Sequence, residues 1–145
     1  MKISLACDHG GYIYKEEVKK HLLNQGYDII DCGTNSKESC NYALFGIEAA
    51  KKVSSGEAKF GIVICSSGEG ISIAANKVKG IRCGIGYNDE VSCLLRQHNN
   101  ANMISFGAKY MKLDDVLRRV DIFLKSDFEG GRHSDRVQTI IDQEK

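Results

Sequence analysis

Short runs of apolar, largely β-branched residues alternate along the chain with longer stretches that repeat apolar residues at helical spacing. The run at residues 60–65, FGIVIC, has no charged position, which is typical of a strand buried on both faces of a parallel sheet. Residues 12–24 instead place Val18, Leu22 and Leu23 at helical spacing, and Gly26 would end that helix. The pattern therefore predicts alternating strands and helices.

The predicted strands cover residues 3–7, 27–31, 60–65, 81–85 and 102–106. The predicted helices cover residues 12–24, 42–53, a short segment that stops near residue 80, and residues 89–97, 113–124 and 132–143. Strands that alternate with helices are joined by right-handed crossovers into a parallel sheet with helices on both faces. We therefore predict one α/β domain over residues 1–145, a three-layer, doubly wound fold that is Rossmann-like and flavodoxin-like, with a five-stranded parallel sheet.

Composition excludes several classes of protein. The chain has 145 residues, 20 lysines and arginines and 19 acidic residues, for a net charge of +1. This balance argues against binding to nucleic acid or a membrane surface through bulk charge. The sequence has no signal-like start and no apolar run of membrane-spanning length. We expect a soluble cytoplasmic protein.

The chain contains six cysteines, which are dispersed and show no CxxC pair and no Cys/His spacing of a zinc site. A chain of this length can build its own hydrophobic core, so we interpret the cysteines as reduced thiols rather than a disulfide framework. We expect no metal and no cofactor. The cysteines are Cys7, Cys32, Cys40, Cys65, Cys83 and Cys93.

Cys65 ends the central predicted strand and is followed by a turn of small residues with Gly68 and Gly70. Glycines at these positions leave backbone N–H groups open to a ligand, and the next helix begins there, so the loop favours an anion. Two other interpretations are a buried structural cysteine and a tyrosine-phosphatase-like loop. The second requires arginine six residues after the cysteine, where this chain has Ile71.

Asp8 and His9 follow the first predicted strand, on the same sheet edge as Cys65, where ligands bind in open α/β sheets. An Asp and a His in a turn are often only a cap, so their convergence with the cysteine loop is what indicates function. Later, Arg132 and Arg136 lie four residues apart on one helix after a glycine pair, an arrangement suited to a phosphate dianion. A solvated basic helix face is the alternative. Residues 96–102, RQHNNAN, are denser in hydrogen-bonding groups than a helix end requires.

Together these motifs resemble the family of ribose-5-phosphate isomerase B, which includes the subunits of galactose-6-phosphate isomerase. The resemblance covers essentially the whole chain. It is carried by residues 7–11 (CDHGG), 65–77 (CSSGEGISIAANK), 96–99 with Asn102, 106–107 and 129–136 (EGGRHSDR). Ordered motifs at consistent spacing are together more specific than any one of them.

The resemblance implies interconversion of ribose 5-phosphate and ribulose 5-phosphate without a metal or cofactor, through a cis-enediolate, in a homodimer or dimer of dimers whose subunits share the active site. It implies that Cys65 is the catalytic base and that His98 opens the sugar ring, assisted by Asp8 and Ser67. Arg132 and Arg136 would bind the phosphate, with His9 and, more weakly, Lys109. The other implied substrate-binding residues are Tyr42, Ser66, Gly68, Glu69, Gly70 and Asn99.

The sequence also departs from the family pattern. Asn41 and Ala43 flank Tyr42 where many relatives have Asp and Pro, which leaves open a six-carbon substrate such as galactose 6-phosphate or allose 6-phosphate. Ser67 keeps the hydroxyl of a usual threonine, and Asn100 replaces a common Asp. Some relatives use a glutamate in the cysteine loop, so Glu69 is an alternative base. A non-catalytic sugar-phosphate-binding protein is the third hypothesis.

Overall fold

The computed structural model describes residues 1–144, in which five strands alternate with six α-helices. The strands are β1 (Lys2–Cys7), β2 (Asp28–Asp31), β3 (Phe60–Cys65), β4 (Cys83–Ile85) and β5 (Met103–Gly107). The helices are α1 (Tyr12–Asn24), α2 (Tyr42–Ser54), α3 (Glu69–Asn76), α4 (Asp89–Gln97), α5 (Leu113–Lys125) and α6 (Arg132–Asp142), and a 3-10 turn (His9–Gly11) precedes α1. None of these helices is both long enough and apolar enough to cross a membrane.

All five strands pair in parallel, in the order β2-β1-β3-β5-β4, which confirms the predicted α/β fold class. The order exchanges the last two strands relative to the flavodoxin order 2-1-3-4-5. The exchange suits their burial: every residue of β5 is buried, whereas the three residues of β4 are half-buried. The short strand therefore occupies the edge, and the apolar one lies inside the sheet.

The sheet is covered on both faces. On one face, Val18 and Leu22 of α1 and Val120 and Phe123 of α5 pack against β1, β3 and β5. On the other face α2 and α3 contribute Ala49, Ala50, Ile71 and Ala75. The small residues of α2 allow close approach, since a Cβ at Gly46 would lie 2.8 Å from Ile71 Cγ1. The two layers hold the strand ends, and thus the loops after them, in fixed positions.

The boundaries of two elements differ from those predicted. α3 ends at Asn76 rather than near residue 80, and β4 begins at Cys83 rather than Ile81. The Asn76 side chain bonds both backbone groups of Cys83, each at 2.8 Å, and ties the end of α3 to the start of β4. β4 starts late because the Ile81 N–H donates to the Val78 carbonyl at 3.2 Å and the Arg82 N–H donates to Asn102 Oδ1 at 2.9 Å. A side chain thus takes the pairing position that a longer strand would use.

The last helix is attached weakly to the rest of the chain. Val137 is its only buried residue, while Ile140 and Ile141 are exposed. Near its end, the Gly80 N–H donates to a carboxylate oxygen of Glu144 at 2.7 Å. The helix contributes little to the hydrophobic core. The residues of α6 that are candidates for function lie in its polar first turns.

Candidate active site

The cysteine loop is built by the junction of β3 and α3. Gly68 is the N-cap of α3 with a φ of +82°, and a Cβ there would lie 2.9 Å from the Phe106 carbonyl carbon. Only glycine tolerates both the left-handed backbone and the contact. The loop is also tied to the segment after β5, because Ala108 N–H donates to the Cys65 carbonyl and Lys109 N–H to the Ser66 carbonyl.

The thiol of Cys65 lies inside this loop. The side chain is 5% exposed, and the Gly68 N–H donates to its Sγ at 3.1 Å. Among the other cysteines, burial raises the pKa of Cys7 and Cys83 to about 12 and of Cys32 to about 11. Those three thiols remain protonated at neutral pH and are unsuited to act as bases.

A cavity of about 420 Å³ opens beside Cys65. The Tyr42 ring crosses one side of it, so close that a Cβ at Gly70 would lie 2.6 Å from the ring. This cavity brings together seven of the residues expected at the site, with Tyr110 as an addition that the sequence did not indicate. The lining residues are Asp8, Tyr42, Cys65, Ser66, Ser67, Gly70, Lys109 and Tyr110.

Asp8 and His9 occupy the neighbouring turn. Asp8 Oδ1 accepts from the N–H groups of Gly10 and Gly11 at 2.9 and 3.1 Å, so the residue caps the 3-10 turn and also faces the cavity. His9 Nδ1 accepts from the Cys40 N–H at 3.2 Å. In the neutral ring the proton therefore lies on Nε2, the nitrogen that remains to meet a ligand.

Glu69 lies in the same loop but faces a different space. It lines a neighbouring cavity of about 650 Å³ together with Ile85, Tyr87 and Tyr110, whereas Cys65 does not border that cavity. The Glu69 N–H donates to Ser67 Oγ at 3.1 Å. Of the two candidate bases, Cys65 is the one that borders the smaller cavity with Asp8 and Lys109.

A second polar cluster surrounds the end of α4. His98 is the C-cap residue of this helix, and its ring stacks on that of His133, with centroids 4.1 Å apart and planes at 13°. The carboxylate of Glu129 lies 3.7 Å from His98 Nε2 and 3.9 Å from His133 Nε2. Partial burial and the nearby positive charges of His98, Arg132 and Arg136 lower the pKa of His133. The cluster is therefore rich in imidazole and guanidinium groups.

Two arginines hold the loop that carries His98 and Asn99. Arg82 donates from Nε and Nη2 to the Asn100 carbonyl, at 3.2 and 2.7 Å, and from Nε to the Asn99 carbonyl. Arg96 donates to the Asn100 side chain and to the Ala101 carbonyl. Asn100 itself has a φ of +46°, the left-handed conformation of a helix end. Arg82 was missed by the sequence reasoning, because nothing local distinguishes it from a surface arginine.

Arg132 and Arg136 stand on the first turns of α6, and both are exposed. Their helix also carries His133, so the arginines belong to the cluster around His98. Arg136 Nη1 donates to the Arg132 carbonyl at 3.0 Å, which folds its side chain back along the helix. The phosphate-binding candidates therefore lie with His98 and Asn99.

Within one chain, the cluster around Cys65 and the cluster around His98 lie at opposite ends of the strands. In the parallel register of β3 and β5, Cys65 pairs with Gly107 and Gly61 with Met103. Four residue steps along a strand span about 13 Å. His98 precedes the amino end of β5, whereas Cys65 stands at the carboxyl end of β3. Within one chain, Cys65 and His98 thus lie at opposite ends of the strands.

A family model, relatives of known sequence and solved structures all indicate the same protein family. The family model described as Ribose/Galactose Isomerase matches residues 3–140. Ribose-5-phosphate isomerase B of Escherichia coli is 42% identical over 139 residues, which cover 96% of this chain and 93% of that protein. The solved structure of ribose-5-phosphate isomerase B from Clostridium thermocellum has a TM-score of 0.98 at 47% identity, covering 99% and 97% of the two chains. That from Mycoplasma genitalium with bound ribulose-5-phosphate has a TM-score of 0.95 at 35% identity, covering 99% and 95%.

Proposed function

This chain belongs to the ribose/galactose isomerase family, and from that membership we propose that it interconverts ribose 5-phosphate and ribulose 5-phosphate. It is an aldose–ketose isomerase that acts on a sugar phosphate. The position of Cys65 is the structural observation that supports this chemistry. A thiol that accepts an amide hydrogen bond borders a cavity of a size suited to a sugar.

We propose that Cys65 is the base. Starting from the aldose, the Cys65 thiolate removes the proton from C2. The electrons of that C–H bond form the C1–C2 double bond, and the oxygen of the C1 carbonyl becomes an enediolate oxygen. Return of the proton to C1, with transfer of the O2 proton to O1, gives the ketose. No oxidant or reductant is consumed, because one carbon is oxidised as its neighbour is reduced.

The developing negative charge requires hydrogen-bond donors. The first turn of an α-helix has N–H groups without intrahelical acceptors, and α3 begins at Glu69, beside Cys65. The Gly68 N–H already donates to Sγ, so the Gly70 amide in the following turn is our candidate donor to the enediolate oxygen. Preorganised donors of this kind are often the largest catalytic contribution.

The remaining roles require groups from the second cluster, and we propose that a second copy of the chain supplies them. His98 would protonate the ring oxygen of the cyclic substrate, with Asp8 and Ser67 contacting ring hydroxyls from the first chain. Asn99 would add a donor, and Arg132 and Arg136 would bind the phosphate, with His9 and Lys109 approaching it from the cysteine side. The separation of the two clusters along the strands supports a homodimer or a dimer of dimers, in which a second chain would bring them together.

The structure offers one observation on substrate size. Asn41 Oδ1 accepts from the Ala43 N–H at 3.0 Å and caps α2, a role for which Asn and Asp are equivalent. Tyr42 stands at the start of α2 and lines the cavity of Cys65. The substitution at position 41 therefore preserves the local helix start, so this departure from the family pattern does not by itself argue for a six-carbon substrate.

An NMR assay with a panel of aldose phosphates tests the proposed function. In D2O the purified protein should incorporate deuterium at C1 of ribulose 5-phosphate or C2 of ribose 5-phosphate during conversion. We expect kcat/KM to be highest for ribose 5-phosphate. A higher value for galactose 6-phosphate or allose 6-phosphate would assign the protein to the six-carbon branch, and binding without turnover of any sugar phosphate would make it a binding protein.

Replacing Arg136 by alanine should raise KM more than it lowers kcat. A charge-assisted hydrogen bond contributes about 1.5–3 kcal/mol, equivalent to roughly a 10- to 100-fold change in binding. The measurement is steady-state kinetics with ribose 5-phosphate, with Arg118→Ala as the matched control, because Arg118 is exposed and pairs with Asp89 away from both clusters. An equal KM in the Arg136 and Arg118 variants would exclude Arg136 as a phosphate ligand.

A further inference from the structure

Three metal-ligating side chains converge next to the loop that carries His98. Their ligand atoms, one from each of His98, Glu129 and His133, all lie within 4.8 Å of one another. We propose that these residues form a binding site for a divalent transition-metal ion such as Zn²⁺, and that an ion bound there inhibits the isomerase. Two imidazoles and one carboxylate, with room for water, are a ligand set that zinc accepts.

The distances require only small adjustments. Zinc lies about 2.0–2.2 Å from nitrogen and oxygen ligands, so ligands of a tetrahedral site are roughly 3.3–3.6 Å apart. The Glu129 oxygen is already 3.7 and 3.9 Å from the two Nε2 atoms. The imidazole planes are nearly parallel and must tilt toward a shared ion. The terminal torsion of histidine has a broad minimum, which permits this rotation, and the two rings give up their stacking contact when it occurs.

The backbone holds the three residues near this geometry. The Glu129 N–H donates to the Gln97 carbonyl at 3.0 Å, which fixes Glu129 beside the end of α4, where His98 follows. The His133 N–H donates to the Gly130 carbonyl at 3.1 Å. Preformed ligand positions reduce the conformational entropy that binding must overcome.

The charges around the site act in both directions. Arg132 and Arg136 oppose a divalent cation, and the Glu129 carboxylate partly offsets them. Binding therefore depends on direct coordination, so an ion with strong nitrogen affinity should bind whereas Mg²⁺ should not.

Inhibition follows from what the ion would occupy. A metal on His98 Nε2 takes the electron pair that otherwise holds the proton for the ring oxygen. This consequence rests on the proposed function, whereas the binding itself does not.

Co²⁺ titrated into chelator-treated, desalted protein tests the binding, with calorimetry and visible absorption as readouts. We expect one ion per chain, a spectrum of nitrogen and oxygen ligands, and a loss of affinity of at least about 10- to 100-fold in Glu129→Gln and in His133→Asn. His21→Asn is the matched control: His21 also contacts a carboxylate, Asp121 at 3.0 Å, but lies on α1. It should bind Co²⁺ like the wild type, and thermal unfolding checks that every variant is folded.

Thiols are the competing ligands, since Cys40 Sγ lies 3.9 Å from His9 Nδ1 and Cys65 is the proposed base. Cys40→Ser and Cys65→Ser should retain Co²⁺ binding; if either loses it while Glu129→Gln does not, the proposed site is wrong. Zn²⁺ inhibition, expressed relative to the metal-free rate of each variant, should weaken in Glu129→Gln but not in His21→Asn. Binding without inhibition would overturn the inhibitory role alone, and binding to a protein that turns over no sugar phosphate would overturn the proposed function alone.

Discussion

Replacing Cys65 by alanine should lower kcat for ribose 5-phosphate by about 10²- to 10⁴-fold, the usual contribution of a positioned general base. The side chain removed is the one that accepts the Gly68 amide hydrogen bond inside the cavity. The affinity for a non-reacting phosphate ligand should remain close to that of the wild type, because the arginines are untouched. Steady-state kinetics and equilibrium binding of such a ligand measure the two effects separately.

Cys93→Ala is the matched control for this substitution. Cys93 is a half-buried thiol that contacts Ser126 Oγ at 3.4 Å, away from the cavity, so its loss should leave kcat unchanged. Glu69→Gln completes the comparison, since Glu69 faces the neighbouring cavity. Near wild-type kcat in Cys65→Ala, together with a large loss in Glu69→Gln, would move the role of the base to Glu69.

Two inactive variants should restore activity when their chains are combined. In a mixed dimer of Cys65→Ala and His98→Asn chains, one of the two sites has both intact residues and the other has neither. Tandem purification of two differently tagged chains selects the mixed dimers, so activity should return to about half of the wild-type value. Co-expression of two differently tagged chains, followed by tandem purification and assay, gives the measurement.

The outcome depends directly on which chain supplies which residue. If Cys65 and His98 of the same chain acted together, every site in the mixed dimer would have one defect and no activity would return. A pair of Cys65→Ala and Cys65→Ser chains is the control and should stay inactive. Recovery in the first pair alone would establish the shared site, and no recovery would contradict it.

Local patterns predicted most of the fold. The bounds of α1 and of β3 follow from helical spacing that ends before Gly26 and from an apolar run of six residues, and the structure agrees with both. Local patterns could not predict the strand order, because the placement of β5 between β3 and β4 depends on long-range pairing. The early start predicted for β4 was wrong: Ile81 looks like a strand residue, but its N–H donates to the Val78 carbonyl, and the Asn102 side chain takes the pairing position at Arg82.

The candidate site shows the same difference between features that local motifs predict and features that depend on residues far apart in the sequence. The Cys65 loop and its nearness to Asp8 were predicted from strand ends, and the hydrogen bond from Asp8 N–H to the Ile64 carbonyl links the two strands. The contribution of Arg82 and the contact of Glu129 with two imidazoles were missed, because they join residues far apart in sequence. The roles of the site residues remain predictions that the proposed variants test.

The sparse anchorage of α6 has a consequence for turnover. A segment with one buried side chain opens at a low free-energy cost, and this segment carries the two guanidinium groups proposed to grip the phosphate. Part of the phosphate binding energy would then be spent on ordering the segment, which weakens the net hold on product. We therefore expect the fixed loop between β3 and α3 to position the reacting carbons, while the weakly attached α6 allows the product to dissociate.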